Sequence, residues 1–451
     1  MRHPVDRPHP PRHTVIGRRT ILHGAAWSVP AIALVTAVPA YAQSGKTLSF
    51  SSASFTGPAC GTITDATVRA ASGGAPASGV NVALSLSGGF TFDGGGSSAT
   101  VVTGSDGSVS CGTIHVPAAG TSGTLSASSA DASGASAGLG SADAQVLTSP
   151  RGLATVSGIP VGSTPLTRDF FLSGTSLYRA GAGVVATGIR SAGRLVESSA
   201  GGGSFLLPVQ LTDASASVFD TASGALTAAS GTPSGATPLA GDLFLSGNTV
   251  YRGGVAVATD VAEAGQLIPH DDGSGSSSRL YLPYRSVTGE PRILRVPDND
   301  VRTAFEYGSS NGPASGATPV ADDLFLSSNS LYRVSWDGTS AYGTGAVASG
   351  IKTTGSLTPN PYYAGERLLP VSLSGSGDAA LFMVSGNSLR AARQVPSVST
   401  PLGADLFFSS GTVYQDGTGA VASSIAHTGL AGPVSSGSNK VSIPLINSAS
   451  C

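Results

Sequence analysis

Three histidines lie beyond the first 42 residues of this chain, at His115, His270 and His427. They are far apart in the sequence, and none has a cysteine or carboxylate at the spacing of a metal-binding motif. Residues 134–138 match Gly-x-Ser-x-Gly, but this Ala/Ser/Gly-rich stretch lacks the strand-turn-helix setting that a nucleophilic serine needs. The sequence therefore predicts no catalytic residue, no metal site and no cofactor.

Two pairs of acidic residues could do chemistry if they converged. Asp271 and Asp272 form one pair, and Asp298 and Asp300 form the other. Paired carboxylates serve glycoside hydrolysis or calcium binding. Both pairs belong to one stretch of hydrophilic loops with no counterpart elsewhere, which favours turn formation over a site.

Aspartates and tyrosines also recur at equivalent positions of a repeat. The set is Asp169, Asp242, Asp323 and Asp405 with Tyr178, Tyr251, Tyr332 and Tyr414. The members could form four repeated ligand pockets. Alternatively, each aspartate accepts backbone hydrogen bonds at a turn while each tyrosine packs between sheets with its hydroxyl at the rim. Because repeats must keep the residues that determine their fold, the structural role is favoured.

The repeat itself is read from four ungapped segments of sixteen residues. These are TPLTRDFFLSGTSLYR from Thr164, TPLAGDLFLSGNTVYR from Thr237, TPVADDLFLSSNSLYR from Thr318 and TPLGADLFFSSGTVYQ from Thr400, at intervals of 73, 81 and 82 residues. Each segment contains an alternating run, a Gly/Asn/Ser turn and a second run that ends at the tyrosine or the residue after it. This pattern predicts a β-hairpin. A third strand follows every hairpin.

A second block recurs between these hairpins and opens with an apolar strand around a proline. The prolines are Pro208, Pro283, Pro370 and Pro444, and they predict an edge or strand-end position. The fourth copy of this block is divided, with its proline strand at residues 441–445 and its hairpin at residues 145–156. A row of independent domains has no reason to split a unit between its two ends, whereas a closed ring does.

This circular permutation resembles the way in which β-propellers close, with a strand from one terminus completing a blade begun by the other. The resemblance implies an all-β propeller over residues 144–451, with about eight small blades as four pairs. Seven blades or three-stranded blades also fit the strand count. The rival architecture is a row of tandem β-sandwich repeats.

The region before the repeats, residues 43–143, shows about seven short alternating runs, which suggests a β-sandwich. The stretches 78–89, 102–109 and 120–127 resemble bacterial immunoglobulin-like domains of the invasin/intimin type. That resemblance implies a spacer or adhesive unit. Cys60 and Cys111 both fall here, and an oxidising compartment predicts a disulfide between them, which leaves Cys451 over.

Residues 1–42 resemble a twin-arginine signal peptide. Arg18 and Arg19 precede about fifteen mildly apolar residues, too few for the roughly 20 that span a bilayer. Ala40 and Ala42 suit a signal peptidase, which predicts cleavage after Ala42 and no membrane span in the mature protein. We therefore expect a secreted protein, extracellular or associated with the cell wall.

The composition and charge of the chain argue against some classes of binding partner. The net charge is −2, with 24 basic and 26 acidic residues and no basic block after the signal region, which argues against nucleic acid. The leading hypothesis is a secreted or cell-surface binding protein without catalytic activity, whose partner is a cell-wall glycan or another surface protein. A carbohydrate-active enzyme on a propeller and a structural envelope component are the alternatives. Three or more acidic groups with aromatics in a central funnel would favour the enzyme.

Overall fold

A computed structural model describes the chain over most of its length. The described residues are 45–150, 152–199, 203–270, 279–296, 298–303, 312–336 and 341–448. They belong to one compact unit, Ser44–Cys451. The predicted signal residues Arg18, Arg19, Ala40 and Ala42 lie outside the described residues. Throughout the described ranges the regular secondary structure is β-strand.

The first module is a β-sandwich-like fold with its own core. Its larger sheet runs in the order Ala75–Pro76, Thr67–Ser72, Lys46–Phe50, Ala132–Ala142, Ser122–Ser129, Asn81–Leu86 and Ser98–Val102, with Ser54–Pro58 beside Ala132–Ala142 and Ser108–Ser110 beside Thr67–Ser72. A small sheet contains Thr62–Ile63, Ile114–His115 and Thr91–Phe92. Alternation builds the core, since Val82, Leu84 and Leu86 are buried while the residues between them are exposed.

The longest strand of this module, Ala132–Ala142, contains the Ala/Ser/Gly-rich stretch with the Gly-x-Ser-x-Gly match. It pairs antiparallel with Ser122–Ser129 and parallel with both Lys46–Phe50 and Ser54–Pro58. Small side chains suit a strand that is paired on both sides. Ser136 stands opposite Ser126 within this ladder, which is not the setting of a catalytic serine.

The predicted disulfide between Cys60 and Cys111 is wrong. Cys111 is a free thiol, 2% exposed, at the edge of the module core. Burial raises the pKa of this thiol to about 11, so it stays protonated and unreactive. Cys60, by contrast, is disulfide-bonded.

We expect peptide mapping under non-reducing conditions to find Cys60 joined to Cys451, the third cysteine of the chain. Cys60 and Asn447 line the same small cavity, and the four residues from 447 to 451 can reach roughly 13 Å. Iodoacetamide should label Cys111 only after unfolding. A Cys60–Cys111 peptide would contradict this prediction.

The described residues between 144 and 447 form eight small antiparallel sheets, which are numbered 1 to 8, with sheet 8 the one that contains both ends of this region. Sheet 1 contains Thr164–Pro165, Phe170–Ser173, Ser176–Arg179 and Gly183–Thr187; sheet 3 contains Thr237–Ala240, Leu243–Ser246, Thr249–Arg252 and Val255–Ala258; sheet 5 contains Thr318–Ala321, Leu324–Ser327, Ser330–Trp336 and Ala341–Ser349; sheet 7 contains Thr400–Gly403, Leu406–Ser409, Thr412–Gln415 and Gly419–Ala422.

In the even-numbered sheets one edge strand is divided into two pieces. Sheet 2 contains Ile189–Ala192, Val196–Glu197, Phe205–Leu211, Ala216–Asp220 and Leu226–Ala228; sheet 4 contains Val261–Ala264, Ile268–Pro269, Leu280–Ser286, Pro291–Val296 and Asp300–Thr303; sheet 6 contains Ile351–Thr354, Thr358–Pro359, Arg367–Leu373, Ala379–Met383 and Ser388–Ala391; sheet 8 contains Ile425–Thr428, Gly432–Pro433, Val441–Asn447, Ala144–Ser149 and Gly152–Thr155. Sheet 8 thus joins the two ends of the repeat region.

Both faces of the sheets are buried against their neighbours. Successive strand side chains point to opposite faces, so in sheet 1 Phe170 packs on sheet 2 while Phe171 packs on sheet 8. The same division holds for Leu243 and Phe244, Leu324 and Phe325, and Leu406 and Phe407. Hydrophobic clusters therefore connect each sheet to the next, and sheet 8 to sheet 1.

The prediction that the recurrent prolines occupy edges is wrong, because each lies in a strand paired on both sides. Pro208 stands opposite Val218 on one side, and on the other side it faces the gap between Ile189–Ala192 and Val196–Glu197. Its carbonyl accepts a hydrogen bond from Gly193 N at 2.9 Å within that gap. The missing proline N–H is tolerated because the partner strand is interrupted there.

Candidate ligand-binding site

The interruption in each even-numbered sheet sends a short segment of chain towards the next sheet. Each segment forms one parallel bridge to residues in or just after that sheet's first strand: Arg194 with Ala240, Gln266 with Ala321, Ser356 with Gly403 and Leu430 with Thr167. The backbone N–H of each first-named residue donates to a neighbouring carbonyl at 2.7 to 2.8 Å. The four segments are equivalent by repeat, and together they define the candidate site.

A glycine precedes each of these four residues for a steric reason. A Cβ at Gly355 would lie 2.8 Å from Leu402 O and 2.9 Å from the Cγ of Pro370. Gly193, Gly265 and Gly429 are enclosed in the same way by a carbonyl of the next sheet and by their own recurrent proline. The glycine and the proline are thus one packing motif, which places the segment beside the next sheet.

The four segments line one cavity of about 480 Å³, which is a typical volume for a small-molecule site. Its lining includes residues 194–197, 266–270, 357–359 and 431–433, together with 365–367 and 435, 437, 438 and 439. Much of this wall is apolar, as with Val196, Ile268, Pro359 and Pro433. Sequence reasoning missed the cavity, although the recurrent glycine after the third strand was a usable signal.

Side chains cross-link the segments. Arg194 Nη2 donates to Ser356 Oγ at 3.1 Å, which joins two repeats that are two apart in sequence order. Gln266 Nε2 donates to Leu357 O at 2.8 Å, and Leu357 N donates back to Gln266 Oε1 at 3.0 Å. These bonds hold the segments at fixed positions.

Two carboxylates occur in the cavity lining, Glu197 and Glu366, and both are engaged. Ser436 Oγ donates to Glu197. Glu366 accepts from Asn360 Nδ2 at 2.9 Å and from Ser385 Oγ at 3.0 Å. Carboxylates held in this way suit the orientation of a ligand better than proton transfer.

His270 and Arg367 also line the cavity and lead into a buried ion network. The imidazole ring of His270 stacks on the ring of Tyr281, with the two ring centroids 3.9 Å apart. His270 Nδ1 lies 2.6 Å from Asp322 Oδ1. Arg367 Nη1 is 2.7 Å from Asp322 Oδ2. No metal-binding or catalytic motif marks His270 in the sequence, but the structure buries it within this network.

The network continues to Asp323, whose Oδ2 lies 2.7 Å from Arg333 Nε. His270, Asp322 and Asp323 present ligand atoms within 4.8 Å of one another, as a metal site would. Arg367 and Arg333 already balance the two carboxylates, however, so we interpret the cluster as an ion network. Burial would raise the pKa of Asp322, but Arg367 and the His270 hydrogen bond outweigh it and lower that pKa.

Asp323 is expected to make stability depend on pH. Burial and the adjacent charge of Asp322 raise its pKa to about 6. A raised folded-state pKa gives stability that is present at low pH and lost as the pH rises through about 6. The asparagine of Asp323→Asn does not titrate. Between about pH 4 and pH 7 the free energy of unfolding of the wild type should therefore fall relative to that of Asp323→Asn, by on the order of 2 kcal/mol.

Chemical denaturation across this pH range measures the shift. Asp242→Asn is the matched control, because Gly241 precedes Asp242 where Asp322 precedes Asp323. Its difference from wild type should change less with pH. A difference that stays constant for Asp323→Asn would contradict the prediction.

The recurrent aspartates bind side chains ten residues later rather than the recurrent tyrosines. Asp169, Asp242 and Asp323 pair with Arg179, Arg252 and Arg333 at 2.7 to 2.9 Å. Each tyrosine, Tyr178, Tyr251, Tyr332 or Tyr414, stands opposite a buried phenylalanine in the hairpin ladder. None of the eight lines the described cavity.

The fourth aspartate differs from the other three. Asp405 accepts from Gln415 Nε2 at 3.0 Å, from Ser149 Oγ at 2.8 Å and from the hydroxyl of Tyr362 at 2.8 Å. Burial, with the charge of Asp405, raises the pKa of Tyr362 to about 12. This network ties sheet 7 to both sheet 8 and the loop beside the cavity.

The other candidate residues are dispersed. His115 Nε2 is 2.9 Å from Asp93 in the first module, and His427 is exposed on sheet 8. Asp298 and Asp300 both pair with Arg295. Asp271 and Asp272 lie outside the described residues. The described part of the chain contains no helix long and apolar enough to cross a membrane.

Comparisons with known proteins give weak likenesses only. No family model and no curated protein matches the chain. A quinoprotein alcohol dehydrogenase-like protein from Bacteroides thetaiotaomicron is 10% identical, covers 88% of this chain and 96% of its own, and has a TM-score of 0.30. A lectin in complex with alpha methyl fucoside is 14% identical over 58% of this chain and 90% of its own, with a TM-score of 0.28.

Invasin, a bacterial integrin-binding protein, is 11% identical over 82% of this chain and 63% of its own, with a TM-score of 0.18. Likenesses at these scores carry no argument about function.

Proposed function

We propose that this protein is a secreted or surface-associated binding protein, and that its repeat region is a closed β-propeller of eight blades with the ligand site at its centre. The observation that supports this most is the cavity formed by one segment from each of the four repeats. Ligand sites are concave, mostly apolar and furnished with a few fixed polar groups, as this one is.

A catalytic role has less support. The described lining holds two carboxylates, Glu197 and Glu366, and both accept hydrogen bonds from neighbouring side chains. No Phe, Tyr or Trp side chain is part of this described lining. An acid and a base with separated environments, as glycoside hydrolysis needs, are absent from the described part of the cavity.

Thermal-shift screening of small amphipathic compounds tests the proposal, with a cavity-filling variant as its control. Ser438 lines the cavity, so Ser438→Trp should place an indole ring in it and abolish the shifts. Ser223→Trp, at an exposed turn of sheet 2, should leave them unchanged. Shifts that persist in Ser438→Trp would place binding elsewhere, and turnover of a bound compound would overturn the non-catalytic role.

A glycan is the second candidate ligand, supported by an aromatic loop beside the cavity. Tyr362 is 50% exposed and Tyr363 is 67% exposed, and the same loop contributes Gly365 and Glu366 to the lining. Exposed aromatic faces can pack on sugar rings. A glycan array with purified bacterial cell wall tests this: saturable binding that is lost in Tyr363→Ala supports the glycan, and retention of binding in that variant argues against it.

We also propose export by the twin-arginine route, on the strength of Arg18 and Arg19 and the Ala40–Tyr41–Ala42 ending. Replacing both arginines with lysine should leave the precursor inside the cell. Secretion that continues unchanged in this variant would overturn the proposal.

A further inference from the structure

Arg194 occupies the first position of the sheet 2 segment, and its backbone is held tightly. Arg194 N donates to Leu239 O at 2.8 Å, and Gly241 N donates to Arg194 O at 3.1 Å. The side chain extends across the cavity lining to Ser356 Oγ at 3.1 Å. The backbone and side-chain hydrogen bonds of Arg194 therefore fix the position of its guanidinium group.

The charge of Arg194 breaks the four-fold equivalence of the segments. The other three repeats carry Gln266, Ser356 and Leu430 at this position, none of them charged. Most other arginines in the described part of the repeat region are paired, including Arg333 with Asp323 and Arg367 with Asp322. A positive charge in one repeat alone serves no general requirement of the fold.

Arg194 also lacks a counter-ion. None of the ion pairs among the described residues includes it, and its Nη1 is buried without a hydrogen-bond partner. Burial lowers its pKa to about 10, which still leaves the guanidinium charged at neutral pH. A buried charge without a partner is costly, and so is a buried donor without an acceptor.

We propose that the cavity takes a small monoanionic ligand, whose acid group pairs with Arg194 and whose apolar body packs on the walls formed by the four segments. This inference rests on the proposed function and adds the charge of the ligand. A carboxylate is the natural acid group, because the planar guanidinium fork matches it in shape and charge. It would replace Ser356 Oγ as the acceptor for Arg194.

The remaining lining restricts the ligand further. Glu197 and Glu366 add two negative charges to the same cavity, so a ligand with several acid groups is disfavoured. Leu195, Ile268 and Pro433 offer apolar surface. The ligand class is therefore an apolar body with one acid group, rather than a polyanion or a neutral sugar.

Two matched probes test this inference by isothermal titration calorimetry on the purified protein. They are 4-phenylbutyrate and 4-phenylbutan-1-ol, which differ in the acid group. We expect the acid to bind at one site at least tenfold more tightly than the alcohol. Arg194→Met should lower the affinity for the acid to that for the alcohol, so that the preference disappears.

Arg190→Met is the matched control, because Arg190 is exposed on the strand that leads into the same segment. It should keep the full preference. Arg194→Lys, which retains the charge but not the fork, should keep most of it. The inference would be overturned if the wild-type protein bound the two probes equally tightly, or if Arg194→Met kept the preference for the acid. The first of these outcomes needs no variant, so it holds even if a variant fails to fold.

Ser438→Trp separates this inference from the proposed function. Alcohol binding that is lost in Ser438→Trp, without any preference for the acid, leaves the cavity as a binding site and overturns the charge assignment alone. Absence of binding for both probes, or binding insensitive to Ser438→Trp, overturns both.

Discussion

Deletion of residues 440–451 is expected to abolish cooperative unfolding of the whole repeat region. The deletion removes the strand Val441–Asn447, which is paired with Ala144–Ser149 on one side and with Ile425–Thr428 on the other. Val441, Ile443 and Leu445 are fully buried. Loss of a buried aliphatic side chain costs roughly 2–5 kcal/mol. The loss of three such side chains is therefore comparable with the roughly 5–15 kcal/mol that stabilises a whole domain.

Differential scanning calorimetry distinguishes the two architectures. In a closed ring every sheet packs on two others, so the repeat region should lose its single transition. In a row of sandwich domains the loss would be confined to one local transition, and that outcome would contradict the ring. Cys451→Ser is the control for loss of the terminal cysteine alone, and it should preserve the transition.

Gly355→Ala is expected to destabilise the repeat region and to disable the cavity together. The added Cβ would meet Leu402 O at 2.8 Å and Pro370 Cγ at 2.9 Å, and neither atom is the end of a flexible side chain. Overpacking of this kind costs roughly 1–3 kcal/mol. Relief by movement of the segment would displace Ser356 and Leu357, which bind Arg194 and Gln266.

Urea denaturation and ligand titration measure the two effects. Gly386→Ala is the control, because a Cβ there would approach only Ser388 Oγ, at 3.3 Å, which can rotate away. It should change stability and binding little. Wild-type stability in Gly355→Ala would show that the segment tolerates a side chain, against the packing motif of glycine and proline described here.

Local patterning predicted much of the repeat region. The alternating Leu-Phe-Leu-Ser runs are strands in all four repeats, and the divided copy does come together, since Ala144–Ser149 pairs with Val441–Asn447. These features depend on the two-residue period of strands and on the need to cover sheet edges. Both can be read along the chain.

Predictions failed where a residue's neighbour lies far away in sequence. Pro208 is paired on both sides because the opposing strand is interrupted, and that interruption is a property of sheet 2 rather than of the proline. The strand Ala132–Ala142 forms despite its composition because three partners flank it. Cys111 is free although an oxidised partner was expected.

The sequence by itself determined that the chain is all-β, that four repeats follow a first stretch of short alternating runs, and that one repeat is divided between the ends. Periodicity and self-similarity carry that information because they reflect contacts within a strand, a hairpin or a repeat. Only the tertiary structure decided that the segments after Gly193, Gly265, Gly355 and Gly429 meet at one cavity. They lie some seventy to ninety residues apart, and the packing of sheet on sheet is what brings them together.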